Sequence, residues 1–377
     1  MTSELSIFAA RVGDYIAICA GELASEQREN PAFQAHADIE FNGMAIMLFT
    51  LQFQHNPAYR KLCEARGIFP HSISHWTRIP AVPTAAFKEF EISCLPPEKR
   101  TDVFHSSGTT AQKPSRHFHN AESLAVYEAS LLPWFCFHVQ PLKNVAILTP
   151  SPALAPNSSL VHMFETVRRN SSAPKNSFFG TLAADSSWTL NFDETVAALQ
   201  RASRDCQPVL LLGTAFSFVH LLDYLADKNL QLKLPVGSGV METGGYKNQS
   251  RTLPKSELHA LITERLGVPP SQIVCEYGMS ELSSQAYDQH LSVEGAGAKE
   301  GRCFHFPPWA RAQVVSPETG REVRDGETGL LRIFDLANCF SAMTIQTEDL
   351  AVRRGDGFEL IGRAAAAEPR GCSLMTA

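Results

Sequence analysis

A regular alternation of short apolar runs and amphipathic segments across the middle of the chain limits its fold more than any other feature. Apolar runs predict buried strands at residues 143–150, 207–214, 233–245 and 271–278. Segments with helical spacing lie between and beside them, at residues 158–170, 191–203, 216–227 and 254–267. Strands separated by helices need crossover connections, and these produce a mostly parallel sheet covered by helices. The sequence therefore predicts an α/β fold.

Helix-end signals support these assignments. Ser158 or Ser159 stands near the expected cap of one helix, and Asn191 precedes acidic residues at the start of the next. Pro254 and Gly267 bracket the last helix of the series, which is the usual order of these two residues.

The residues before and after this middle part show other sequence patterns. The first hundred residues predict mainly helix, with the clearest segments at 5–20 and 39–53. After about residue 290, turn clusters at 316–320 and 324–329 separate short β-rich runs, which predicts a small antiparallel sheet or barrel. We therefore expect a helical part over 1–100, an α/β core over 101–289, a small β-subdomain over 290–363 and a tail over 364–377.

Composition excludes several classes of function. With 44% hydrophobic residues, the chain of 377 residues has enough apolar material for a sizeable core. A net charge of -6 does not favour nucleic acid or an anionic membrane surface as a partner. The most apolar early stretch, residues 43–53, is too short to span a bilayer, which needs about 20 residues.

The cysteine pattern and the first residues predict a reduced, cytoplasmic protein. The nine cysteines include no C-x-x-C pair, which argues against a disulfide framework and a structural zinc site. Glu4, Arg11 and Asp14 interrupt any apolar run near the first residue, so a secretory signal is not expected.

The segment VFHSSGTTAQKP, residues 103–114, has the chemistry of a phosphate-binding loop. Its hydroxyl groups and backbone N–H groups can surround a polyphosphate, and Lys113 adds a mobile positive charge. Gly108 would let the backbone approach closely. The pattern G-x-x-x-x-G-K-[ST] is absent, so a Walker-type site is excluded. An ordinary polar surface loop is the alternative.

The order HSSGTTAQKP resembles the signature loop of adenylate-forming enzymes, which include acyl-CoA synthetases and peptide synthetase adenylation domains. The resemblance implies ATP as a substrate. It also implies that the β- and γ-phosphates contact Ser106, Ser107, Gly108, Thr109, Thr110 and Lys113. Ala111 stands where the family usually has glycine.

The string EYGMSE, residues 276–281, directly follows a predicted strand, where functional groups of parallel sheets collect. A strand end followed by a turn is the alternative. The string resembles the Y-G-x-T-E motif of the same enzymes, which implies that Tyr277 stacks on adenine, that Gly278 belongs to the nucleotide site and that Ser280 contacts phosphate. Glu281 would then help to hold Mg²⁺, a role suited to a carboxylate near phosphates.

Three shorter strings occur in the order that the family shows. Gly244 and Gly245 resemble the turn that lines the adenine pocket, although a plain strand-to-loop turn is equally consistent. Asp349 resembles the aspartate that binds the ribose hydroxyls, and Arg363 resembles an arginine that reaches the nucleotide.

Candidates for the acyl pocket are less specific. They are Ser158 and His162 in the helix after the 150–156 loop, Gly213 at a strand end, and His105 beside the phosphate loop. His162 can orient a carboxylate, but a single helix histidine is equally consistent with a structural role.

A closer resemblance, from about Phe49 onward, is to the acyl-protein synthetases of bacterial luminescence operons and their homologues. It rests on length, on the phosphate loop, on residues 155–163 and 242–251, and on the ending GRAAAAEPRGCSL. It implies an enzyme that activates a fatty acid with ATP and lacks the usual C-terminal domain. It also implies capture of the acyl group on Cys372, near Arg370, and transfer to a partner acyl reductase.

Two other functions remain open at this stage. The chain can be a ligase that passes its adenylate to coenzyme A or to a carrier protein, with Cys372 as a bystander. It can also be a non-catalytic nucleotide-binding subunit of a reductase complex.

Overall fold

The computed structural model describes residues 2–23, 31–106, 113–140, 142–171, 173–174, 177–185, 187–244, 253–289, 291 and 302–364. The helices are α1 Thr2–Gly21, α2 Pro31–His55, α3 Pro57–Ala65, α4 Ala86–Glu89, α5 Ala121–His138, α6 Ser159–Asn170, α7 Phe192–Arg204, α8 Ala215–Asp227 and α9 Lys255–Leu266. The first ten strands are β1 Val82–Pro83, β2 Asp102–His105, β3 Arg116–His119, β4 Val145–Ile147, β5 Gly180–Leu182, β6 Trp188–Leu190, β7 Leu210–Thr214, β8 Gly239–Thr243, β9 Ile273–Tyr277 and β10 Ala286–Tyr287. Four longer strands follow, β11 Ala310–Val315, β12 Thr328–Asp335, β13 Thr344–Arg354 and β14 Gly357–Arg363.

The predicted parallel sheet is confirmed. Five strands form it in the order β10-β9-β8-β7-β4. The pairs β4–β7, β7–β8 and β8–β9 are parallel, and β10 is antiparallel to β9. Since the crossovers place helices on its faces, the residues of β7, β8 and β9 are almost all buried.

Alternate strand residues face different parts of the core. On β7, Leu210 and Leu212 pack in a large cluster that also contains residues of α1, α2 and α5. Leu211 between them packs in a second cluster with residues of α7, α8 and α9. Successive side chains of a strand point to opposite faces, so a single apolar run serves both clusters.

The predicted helix ends are largely confirmed. Ser158 is the N-cap of α6, and its hydroxyl accepts a hydrogen bond from the Val161 N–H. Gly267 ends α9 with φ of 72°, a left-handed conformation that glycine adopts at no steric cost. Asn191 occupies the N-cap position of α7 but makes no capping bond with its side chain.

The predicted antiparallel sheet is present as β11, β12, β13 and β14. Strand β1 joins this sheet in parallel to β13, with Val82 opposite Ile345. A two-residue strand carries no periodic signal, so sequence reasoning did not anticipate this link between the N-terminal part and the small sheet.

Two observations concern membrane-spanning helices and the state of the cysteines. Within the described ranges, no helix is both long enough and apolar enough to cross a membrane. The described cysteines, eight in number, are all free thiols.

Asp335, at the end of β12, holds the segment that follows Glu281. It is fully buried, and it accepts hydrogen bonds from the backbone N–H groups of Ser283, Ser284 and Ala337 and from the Ser284 hydroxyl. Replacing Asp335 with alanine would leave these buried donors without an acceptor, so we expect the free energy of unfolding to fall by about 3–5 kcal/mol. Chemical denaturation measures this loss.

Asp325 provides a matched control, because it is an exposed aspartate that accepts one hydrogen bond, from the Gly355 N–H. Its replacement by alanine should cost less than about 1 kcal/mol. Equal losses for the two variants would contradict the role assigned to Asp335.

Candidate active site

The carboxyl ends of the parallel strands form the edge at which the predicted site residues collect. Tyr277 ends β9, and Thr243 ends the neighbouring strand β8. Gly244 follows with φ of 75°, a left-handed conformation that glycine adopts at no steric cost. Gly245 lies outside the described residues.

The predicted phosphate loop is the connection of the β2–β3 hairpin. The Ser115 N–H donates to the Ser106 hydroxyl at 3.0 Å, which closes the base of the loop. The Ser115 hydroxyl lies 3.3 Å from the Ser280 hydroxyl, and both side chains are buried. The hairpin therefore brings Ser106 beside the EYGMSE segment, as the phosphate-loop hypothesis requires. Ser107, Gly108, Thr109 and Thr110 lie outside the described residues.

Lys113 lies near the last residue of α4. Its Nζ is 3.9 Å from Glu89 Oε2, and both side chains are more than half exposed. An exposed pair of this kind contributes little to stability, so the ammonium remains free to exchange partners. The contact of Lys113 with phosphate stays a prediction.

Ser280 and Glu281 form the centre of the arrangement. The Ser280 hydroxyl donates to Glu281 Oε2 at 3.0 Å. His117 Nδ1–H donates to the Ser280 carbonyl at 2.8 Å, and Asn338 donates to the Glu281 carbonyl at 2.9 Å. Burial lowers the pKa of His117 to about 4, so this imidazole is neutral at physiological pH. The backbone that carries the carboxylate is thus held from two sides.

Tyr277, Asp349 and Arg363 meet although they are far apart in sequence. The Tyr277 hydroxyl donates to Asp349 Oδ2 at 2.8 Å, and Arg363 Nε lies 3.4 Å from Asp349 Oδ1. Asp349 and Arg363 face each other across the β13–β14 pair. The tyrosine ring makes edge contacts with Phe304 and Phe358. The small sheet therefore supplies two predicted nucleotide contacts to the edge of the main sheet.

The proposed acyl-pocket residues divide into two places. The His105 N–H donates to the Asn157 carbonyl, which joins β2 to the residue before Ser158. His162 Nε2 lies 3.1 Å from Glu128 Oε1, and its ring packs beside Phe104. Burial lowers the pKa of His162, and Glu128 partly offsets this.

Gly213 lies apart from these residues, inside β7. A Cβ atom there would lie 2.8 Å from the Ser217 hydroxyl and 3.0 Å from Leu148 Cβ, so close packing explains the glycine. Ser158 likewise has a structural function, as a helix cap. Their roles in a substrate pocket stay predictions.

Sequence reasoning missed Glu276, the residue before Tyr277. Its side chain is buried on the same side of the sheet as Thr243, whose hydroxyl donates to its carboxylate. A Cβ atom at Gly278 would collide with this carboxylate, which explains the glycine of the motif. An acidic residue within an apolar strand was the available signal. Burial raises the pKa of Glu276 to about 7.

This raised pKa predicts a specific pH dependence of stability. An acid whose pKa rises from 4.5 to about 7 on folding binds its proton more tightly in the folded state. Its contribution to the free energy of unfolding is therefore complete below pH 4.5 and is lost as pH rises through 7. Glu276→Gln should remove this loss and stabilise the protein at pH 8 by about 3 kcal/mol relative to the wild type.

Denaturant titrations of both proteins between pH 5 and pH 8 measure the difference. His117 titrates in the opposite sense, because its pKa is lowered to about 4, but it is present in both proteins and cancels in the comparison. A difference that does not change with pH would contradict the prediction.

These observations place the predicted motif residues at the carboxyl edge of an α/β sheet. Solved structures share this fold. The chain superposes on 2-hydroxyisobutyryl-CoA ligase in its postadenylation state, bound to its acyl-AMP, with a TM-score of 0.63 and 14% identity. The match covers 87% of this chain and 68% of that one. The thioesterification state of the same ligase gives a TM-score of 0.60 at 16% identity, covering 87% and 68%. The expected fold of adenylate-forming enzymes is thereby confirmed.

The sequence comparisons are more specific. The family described as "Acyl-protein synthetase, LuxE" matches residues 34–377, and the chain belongs to that family. The long-chain-fatty-acid–luciferin-component ligase of Vibrio harveyi is 21% identical over 340 residues, covering 86% of this chain and 84% of the relative. The ligase of the same name from Aliivibrio fischeri is 26% identical over 200 residues, which is 50% of each chain. The chain thus spans half the length of this second relative in the match. The predicted family is confirmed.

Proposed function

We propose that this protein activates a carboxylic acid, of the fatty-acid class, as an acyl-adenylate at the expense of ATP. The observation that carries the proposal is the convergence of the hairpin base, Glu281 and the Asp349–Arg363 pair at one edge of the sheet. Membership of a family of acyl-protein synthetases supports it, and the names of the luminescence relatives support a long-chain acid as the substrate.

In the first step, a carboxylate oxygen of the acid attacks the α-phosphorus of ATP. The bond to the bridging oxygen breaks, and pyrophosphate leaves. The hairpin loop and Lys113 bind the β- and γ-phosphates. Asp349 accepts hydrogen bonds from the ribose hydroxyls, Arg363 reaches the nucleotide, and Tyr277 contacts adenine. Such groups act by position and by charge, which is the main source of catalysis in reactions of phosphates.

The donor atoms near Ser280 suit a magnesium ion. Mg²⁺ in nucleotide sites is held by one or two carboxylates together with substrate phosphates and water. Glu281 offers one buried carboxylate, the Ser280 hydroxyl adjoins it, and the Ser115 hydroxyl adjoins Ser280. When bound, the ion would offset phosphate charge, while Glu281 and its hydrogen-bonded backbone would hold it in place.

In the second step, the thiolate of Cys372 attacks the acyl carbonyl, the bond to the phosphate oxygen breaks, and AMP leaves. The thioester keeps the acyl group activated for transfer to an acyl-accepting protein, which we propose is an acyl reductase. Arg370 can favour the thiolate by its charge. Both residues lie outside the described ranges, so this step rests on the family resemblance.

The test is ATP–pyrophosphate exchange against a panel of fatty, aromatic and short-chain acids, with gel detection of labelled acyl-protein. We expect exchange with fatty acids and an acyl band that hydroxylamine removes. Exchange without an acyl band would instead support a ligase that passes the acyl group to coenzyme A or to a carrier protein. ATP binding without exchange for any acid would leave a non-catalytic nucleotide-binding subunit.

A further inference from the structure

A second group of reactive side chains lies on the face of β8 and β9 opposite to Thr243 and Glu276. Glu242 and Cys275 are paired directly across the two strands, and His259 reaches them from α9. All three side chains are buried. The proposed adenylation chemistry uses none of them.

The three donor atoms lie close together. Cys275 Sγ is 2.7 Å from Glu242 Oε1, His259 Nε2 is 3.4 Å from the same oxygen, and Sγ and Nε2 are 3.7 Å apart. In a tetrahedral zinc site with ordinary bond lengths, neighbouring donor atoms are separated by about 3.3–3.7 Å. Two of the three separations already fit, and the third needs the sulfur to move outward by somewhat less than about 1 Å.

The carboxylate of Glu242 can also accept a further hydrogen bond or metal contact. Its Oε2 atom is buried and has no hydrogen-bond partner among the described residues, although a buried acceptor without a partner is costly. Its Oε1 atom faces the ammonium of Lys255 at 3.4 Å, and the Lys255 side chain is 43% exposed. The cluster therefore already holds a cation against Glu242, and this cation has a route out to solvent.

We propose that Glu242, His259 and Cys275 form a buried site for a divalent transition-metal ion, with zinc as the ion that this donor set favours. A thiolate, an imidazole and a carboxylate are the ligand types of protein zinc sites. The three protein ligands leave a fourth position for a water molecule.

The binding step balances in charge and protons. Cys275 now donates its S–H hydrogen to Glu242, so metal binding releases that proton to solvent and forms a metal–thiolate bond. The two negative ligands neutralise the dication, and the Lys255 ammonium turns outward into water. Arg302 Nη1 donates to Cys275 Sγ at 3.6 Å and also lies 2.9 Å from Asp288 Oδ2, so it keeps Asp288 as a partner when the sulfur binds the metal.

Such an ion would join α9 to two adjacent strands of the main sheet. Glu242 precedes Thr243 and Gly244, and Cys275 precedes Glu276 and Tyr277. The site would therefore brace the strand ends that carry the proposed nucleotide contacts.

The test measures metal content directly. Full-length protein without an affinity tag is produced in zinc-supplemented medium, passed over a desalting column and analysed by plasma mass spectrometry. We expect close to equimolar zinc in the wild type and at least about tenfold less in His259→Gln and Cys275→Ser. Cys303→Ser is the matched control, since this half-buried cysteine lies outside the cluster, and it should keep the metal.

Two further measurements separate metal binding from a folding defect. Cobalt added to metal-depleted wild type should produce the near-ultraviolet absorption of a thiolate–cobalt bond, and Cys275→Ser should lack it. Lys255→Ala, which removes the competing ammonium, should bind cobalt at least as tightly as the wild type. The proposal is overturned if the wild type contains no zinc and shows no cobalt absorption band. It is also overturned if zinc persists undiminished in both ligand variants.

Discussion

Replacing Glu281 with glutamine should lower the rate of ATP–pyrophosphate exchange by about 10²–10³-fold. The substitution keeps the size of the side chain and an oxygen that can accept from the Ser280 hydroxyl, but it removes the charge that would hold Mg²⁺. Asn338 binds the backbone of residue 281, so the local fold should persist. The exchange assay with a saturating fatty acid, together with a thermal melt, measures both quantities.

Glu318→Gln is the matched control, because it removes one carboxylate from an exposed turn in the small sheet. Its exchange rate should equal that of the wild type within about twofold. If Glu281→Gln behaved in the same way, the assignment of the magnesium ligand would be wrong. The adenylation proposal would then need another carboxylate near the hairpin.

Replacing Cys372 with alanine should abolish the labelled acyl-protein and leave pyrophosphate exchange within about twofold of the wild type. The reason is that the thiol enters only after the adenylate has formed. Exchange kinetics and gel labelling, performed on the same preparation with the same acid, separate the two steps. The expected effect is complete loss of one signal and retention of the other.

Cys206→Ala controls for non-specific labelling, since Cys206 is an exposed free cysteine. It should keep the full acyl band. Equal labelling of wild type and Cys372→Ala would show that another residue accepts the acyl group. Loss of exchange together with labelling would show that the tail takes part in adenylation itself.

Much of the fold follows from local signals in the sequence. The apolar run that contains β7 and the amphipathic segment that became α8 were both predicted at nearly their observed positions. The short strands β1 and β2 were missed, because they lack both a measurable period and a long apolar run. Their importance lies in pairing: β1 ties the N-terminal part to the small sheet, and β2 carries the start of the phosphate loop.

The sequence likewise indicated some residues of the candidate site and missed others. Motif order indicated Ser106, Tyr277, Glu281, Asp349 and Arg363, and the structure describes where each of them lies. Sequence reasoning treated Glu276 only as part of a motif, although burial makes it one of the most perturbed acids of the site. Cys275, one residue before this motif, is buried in its strand.

The sequence by itself determined the alternation of strands and helices, the parallel sheet and the identity of the motifs, because hydrophobic period and turn chemistry are local properties. Only the tertiary structure decided which distant residues meet. Asp349 faces Arg363 because of the β13–β14 register, and Tyr277 reaches Asp349 because the two sheets pack together. Glu242 and Cys275, 33 residues apart, meet because parallel strands align them. Strand register and helix packing are set by the burial of the whole core, and no single segment encodes them.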